Sequence, residues 1–112
     1  MTAENPSSIP PSKAVRLADL VAYAPGSIVS RAIVQKPIGS LTIFALEAGQ
    51  SINEHVTPCD AYVEVLDGEV ELVIGGESVV AKTGETVLMP AQVPHAVYAR
   101  QRFKMLLTMI RG

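Results

Sequence analysis

From Ile28 onward the chain is a succession of short β-rich runs, each closed by glycine, proline or polar turn residues. That punctuation restricts the fold more than any other feature. The runs cover residues 28–35, 40–47, 61–66, 69–74, 77–81, 86–89, 95–100 and 104–110. Strands at this regular spacing predict an all-β sandwich or barrel. Leu66-Asp67-Gly68-Glu69 and Ile74-Gly75-Gly76-Glu77 carry the Asp-Gly and Gly-Gly pairs that two-residue hairpins use for positive φ. With a further turn at Lys82-Thr83-Gly84-Glu85, they predict a meander over residues 61–89 within one sheet. The run over 103–110 alternates little, which suits a strand covered on both faces, at a sheet centre or in a subunit interface.

The N-terminal part is of a different kind. Residues 1–12, with Pro6, Pro10, Pro11 and several serines, predict a flexible arm ahead of a single domain over residues 13–112. In residues 13–23, Val15, Leu17, Leu20 and Val21 surround Asp19 at mixed spacing. This suits a short strand followed by a helical turn, ended before Pro25-Gly26.

Composition narrows the partners. A chain of 112 residues, 48% hydrophobic and 18% charged, can bury one compact core. Its net charge of -2 supplies no basic field, so neither nucleic acid nor membrane lipid is an expected partner. Cys59 is the single cysteine and forms no internal disulfide. The polar start Met-Thr-Ala-Glu-Asn-Pro lacks the regions of a signal peptide, and no apolar run reaches the roughly 18 residues of a membrane span. A cytoplasmic location is the expectation.

The chemistry concentrates on the two histidines. His55 follows Gly49-Gln-Ser-Ile-Asn-Glu, and His95 ends Gly84-Glu-Thr-Val-Leu-Met-Pro-Ala-Gln-Val-Pro. If the two strands carrying them meet, they define one pocket. Alternation places Thr57 on the same face as His55, with Glu54 and Asp60 on the other.

These two segments resemble the paired motifs of the cupin superfamily, small single-domain type-2, RmlC-like barrels, and the resemblance extends over residues 28–110. In that family the first motif runs from a glycine to His-x-His, then to a Glu and a second glycine. Gly49, His55 and Gly68 match, while Thr57 stands in place of the second His and Ala61 in place of the Glu. The second motif runs from a glycine through Pro-x-Gly to a His and an Asn. Gly84, Pro90 and His95 match, with Gln92 and Ala99 replacing the glycine and the asparagine.

The resemblance implies a double-stranded β-helix, or jelly-roll, barrel, to which the N-terminal reading adds a short helical turn. It also implies that His55 and His95 project into the barrel near its open end, with Thr57, Ala61, Met89 and Gln92 lining the pocket. A thiolate is a soft metal ligand, so Cys59 is the third candidate beside His55 and His95. That set would take a divalent transition metal, Fe, Mn, Ni or Zn, and a metal-free pocket stands beside it as the alternative.

Three functions follow as expectations. The first is binding of a small-molecule ligand in the barrel, as a sensor or carrier. The second is a metal-dependent enzyme of dioxygenase, isomerase or lyase type using His55 and His95. The third is metal-free acid/base catalysis by a histidine, with Tyr98 or Tyr62 as partner. Whether the chain is an enzyme stays open at this point. Sheet edges in so small a barrel need cover, and a homodimer is expected, with residues 29–34 and 106–110 at its interface.

Overall fold

The computed structural model describes residues 9–111, so the first eight residues of the expected arm lie outside the described residues. Among the described residues eight strands follow a single 3-10 turn at Leu17–Leu20: β1 (Ile28–Lys36), β2 (Gly39–Leu46), β3 (Ser51–His55), β4 (Cys59–Ile74), β5 (Glu77–Lys82), β6 (Thr86–Met89), β7 (His95–Tyr98) and β8 (Phe103–Arg111). The pairing order is β1-β2-β8-β4-β7-β3, with β5 and β6 also on β4, and every ladder is antiparallel. The result is an all-β barrel, as the strand spacing predicts, of the jelly-roll kind that the resemblance implies. β8 runs between β2 and β4, the central place its unalternating sequence suits.

Strand β4 is the spine of the barrel. Its first part pairs with β8 and β6, and its second part with β7 and β5, so one strand belongs to both walls. This corrects the expected hairpin at Asp67-Gly68, where the strand does not reverse. The ladder with β8 carries a bulge between Val65 and Asp67, and Gly68 at φ +85° lets the strand turn from one wall to the other. A Cβ at Gly68 would be driven into the Arg102 carbonyl, so the corner needs glycine for space as well as for φ.

The expected meander is corrected for the same reason. Thr83 N donates to Gly68 O and Gly84 N to Val65 O, tying the turn after β5 to the bulge. The chain therefore leaves one wall there, and β6 pairs with residues 61–64 in the other. The hairpin at Gly75-Gly76 forms as its sequence predicts, with Ile74 opposite Glu77.

Two further elements lie outside the regular runs, the expected strand that carries His55 and the segment before β1. β3, with the polar sequence Ser-Ile-Asn-Glu-His, is an exposed edge strand whose pattern gives little apolar signal. The strand expected within residues 13–23 is absent, and only the 3-10 turn forms.

Alternation along β4 points Ala61, Val63 and Val65 inward and Tyr62 and Glu64 outward. The interior joins Leu46, Val63, Leu72, Val97, Phe103 and Met105 from both walls. Phe103 is fully buried, and removing such a side chain from water contributes about 1.5–3 kcal/mol. A second cluster, Val21, Ile33, Ile43 and Ala45, is roofed by Ile9, Leu17 and Leu20 from the N-terminal segment. Arg31 donates to Leu20 O and Lys104 to Ala18 O, each at 2.6 Å, which satisfies carbonyls of the 3-10 turn. Tyr23 OH donates to Asp67 at 2.6 Å and fastens the end of this segment to the β4 corner.

Candidate functional site

His55 and His95 come from β3 and β7, which pair at Ser51–Tyr98 and Ile52–Val97 before a register shift. The shift places His55 directly opposite His95, and Ile74 flanks His95 on the other side. The ring centroids are 4.5 Å apart with planes inclined at 71°. His95 is 3% exposed, whereas His55 is exposed, so the pair runs from the barrel wall to solvent.

The loop that delivers His95 is built locally. Pro90 and Pro94 lack an N–H, and the amides between them find partners outside the sheet. Ala91 N donates to Asp60 Oδ1 and Gln92 N to Thr57 O, both at 2.8 Å. Gln92 occupies φ +67°, the left-handed region that a glycine takes without cost. The glycine that the family motif has at this position is the signal for such a turn, which the reading of Gln92 as pocket lining missed.

Each imidazole is oriented by the carbonyl two residues before it in the chain. His55 Nδ1 lies 2.9 Å from Asn53 O, and His95 Nδ1 lies 3.2 Å from Val93 O. A carbonyl oxygen only accepts, so both Nδ1 atoms carry the proton and both Nε2 atoms keep a lone pair in the neutral ring. Burial pushes the His95 pKa below its ordinary value, the neighbouring His55 pushes it the same way, and the Val93 contact opposes them. His95 is therefore a neutral acceptor at neutral pH.

The other expected site residues are distributed differently. Thr57 is half-buried, and its hydroxyl accepts from Cys59 N at 2.8 Å, which turns it toward its own loop. Ala61 and Met89 face one another across the β4–β6 ladder, both buried in the interior cluster. Gln92 is exposed. Cys59 opens into a separate recess beside Gln35, Lys36 and Arg111.

A resident metal needs three or more donors as a rule. Among the described residues no three of His, Cys, Asp and Glu gather in a group able to hold one. The set His55, His95 and Cys59 is thus not assembled, because Cys59 begins β4 opposite Arg111 of β8 while the histidines pair on the other wall. With Thr57 engaged in its loop and Ala61 offering a methyl, the donors present do not fit a resident metal.

A jelly-roll barrel carrying a histidine pair of this kind defines a class, and the comparisons place the chain within it. A family model described as Cupin domain matches residues 42–110. The chain belongs to the cupin family, which includes both small-molecule-binding and metal-dependent members.

A conserved protein of unknown function from Streptococcus pyogenes is similar at 36% identity, with a TM-score of 0.89, over 93% of this chain and 91% of that one. A Cupin 2 conserved barrel domain protein from Leptotrichia buccalis shares 42% identity over 83% of this chain at a TM-score of 0.82, and the match spans 45% of that longer chain. A cupin superfamily protein from Desulfitobacterium hafniense, at 22% identity and a TM-score of 0.88, covers all of both chains (100% and 100%) and shares the fold. No curated protein matches the sequence. Among the described residues no helix is long and apolar enough to cross a membrane.

Proposed function

We infer that this cupin binds a small molecule through its histidine pair without a resident metal. The observation that carries this reading is the same backbone engagement of both rings at Nδ1. Both Nδ1 atoms are committed to backbone carbonyls, so in the neutral rings both Nε2 atoms are acceptors, without a hydrogen-bond partner among the described residues. Two neighbouring acceptors favour a ligand that presents hydrogen-bond donors, such as a hydroxyl, an amide or an ammonium group. The buried His95 supplies a fixed contact, and the exposed His55 an accessible one. A role as sensor or carrier follows from the same reading.

Ligand-observed NMR with a panel of small alcohols, amides and amines tests it. Saturable binding that is lost in His55→Ala, whose exposed ring the core does not need, supports the reading. Absence of saturable binding, or binding indifferent to both His55→Ala and His95→Gln, refutes it. Elemental analysis after reconstitution with Fe, Mn, Ni or Zn is expected to find far less than one metal per chain.

We also infer a homodimer. Val29, Val34 and Leu106 pack within the chain against the second cluster, whereas Ile110 remains exposed. Register places Leu41, Tyr62, Leu88 and Thr108 on one face of the sheet, and Ile38 beside it is 72% exposed. A recess of about 240 Å³ between Val34, Ile38, Leu41 and Ile110 adds to this apolar face. Sedimentation showing a monomer that Ile38→Lys leaves unchanged would overturn the dimer.

A further inference from the structure

A recess of about 470 Å³ opens where four strands end together, away from any role given above to the histidines. Its lining includes Gln35 and Lys36 of β1, Ser40 of β2, Cys59 of β4, and Met109 and Arg111 of β8. The register explains the convergence. Gln35, Ser40 and Met109 form one row across three strands, and Arg111 and Cys59 face each other in the neighbouring ladder. Residues from distant parts of the chain are thus brought to one place by the ladders alone.

The charge of this recess runs against that of the protein. The chain carries a net charge of -2, yet among the described residues two cations and no acidic side chain line the cavity. The ion pairs among the described residues use Arg16, Arg100 and Arg102, leaving Lys36 and Arg111 without a carboxylate partner there. Unopposed cations around a concave surface concentrate the field and favour an anion. The guanidinium fork of Arg111 suits a planar carboxylate, and the Lys36 ammonium adds a point charge. Ser40 and Gln35 contribute hydroxyl and amide donors. The side chain of Met109 and the ring of Pro37 supply an apolar surface for the body of a ligand. A cavity of this volume falls in the size range of small-molecule sites.

We propose that the recess between Lys36, Ser40, Cys59 and Arg111 is a binding site for a small organic carboxylate, separate from the histidine pair. The carboxylate lies between Arg111 and Lys36, and its apolar body lies over Met109 near Cys59. This assignment is independent of what the histidines bind.

Cys59 is the only cysteine of the chain and lines the recess, so its alkylation reports occupancy. The rate of alkylation of the intact protein by iodoacetamide is measured with benzoate, benzamide or inorganic phosphate present. The expected result is saturable, several-fold slowing by benzoate, little effect of benzamide or phosphate, and loss of protection in the Lys36→Gln/Arg111→Gln variant. The anionic reagent iodoacetate, compared with iodoacetamide, is expected to react several-fold faster with the native chain than with the variant. Both replaced side chains are exposed, and a circular dichroism melt checks that the variant folds. Equal protection by benzamide or phosphate overturns the carboxylate assignment. Absence of protection by benzoate, or protection unchanged in the folded variant, overturns the site.

Discussion

His95 lies directly opposite His55 across the β3–β7 ladder, with ring centroids 4.5 Å apart, and only His95 is buried. The register shift between Ile52 and His55 creates this opposition. Without it, a change of one residue in pairing would turn the His55 side chain to the other face of the strand.

Protonation of His95 is resisted by its burial and by His55, so its pKa is depressed in the folded chain. An unfolded imidazole takes its proton near pH 6.5. Below that pH the unfolded state binds more protons than the folded one, and stability falls as pH falls toward the folded pKa. Thermal midpoints are expected to be level above about pH 7 and to decline on acidification. In His95→Gln this decline is expected to be shallower, as measured by calorimetry across the same pH series.

Gly68 and Gly76 have nearly the same backbone conformation, at φ +85° and +86°, but different surroundings. A Cβ at Gly76 meets nothing within 4 Å, whereas one at Gly68 meets the backbone of Arg102 and Phe103. Gly76→Ala is expected to cost about 1–2 kcal/mol for the left-handed backbone alone. Gly68→Ala adds overpacking against main chain and is expected to cost about 2–5 kcal/mol in urea denaturation.

Gln92 bears the cost of φ +67° at an exposed position. Gln92→Gly relieves that strain but widens the unfolded ensemble, two effects of similar size. The expected net change is a gain of up to about 1 kcal/mol. Gln92→Val is expected to be destabilising, because a β-branched side chain tolerates this region least. Paired chemical denaturation curves check both.

The phenol of Tyr23 donates to the Asp67 carboxylate, and the guanidinium of Arg102 lies 4.4 Å from its ring centroid. Burial, then the hydrogen bond to Asp67, raises the Tyr23 pKa well above its ordinary value, so the phenol stays protonated and donating at neutral pH. Tyr23→Phe keeps the ring contact and loses the hydrogen bond, with an expected cost of about 1 kcal/mol. Tyr23→Ala loses both, and hydrogen exchange at residues 15–23 is expected to accelerate more than in Tyr23→Phe.

Much of the barrel was legible in the sequence because alternation and turn chemistry act within a few residues. The Gly75-Gly76 hairpin and most strand limits needed only local patterns, whereas for β8 the pattern left a sheet centre and a subunit interface open. The glycine-led histidine segments likewise marked the cupin barrel without any knowledge of contacts.

Asp67-Gly68 shows where local reading ends. A glycine at positive φ closes a hairpin if the flanking runs pair with each other, and forms a corner if each finds another strand. Here residues 59–68 pair with β8 and residues 69–74 with β5, so the corner forms. Cys59 illustrates the same limit, since its nearness to His55 in sequence joined it to the histidines. The ladders instead set it opposite Arg111, on the other wall, while a register shift brought His55 to His95. Residue types and their alternation sufficed for the kind of barrel and for its candidate side chains. Which side chains meet was decided by pairing between strands far apart in the chain, because hydrogen-bond register is a property of two strands and not of either one alone.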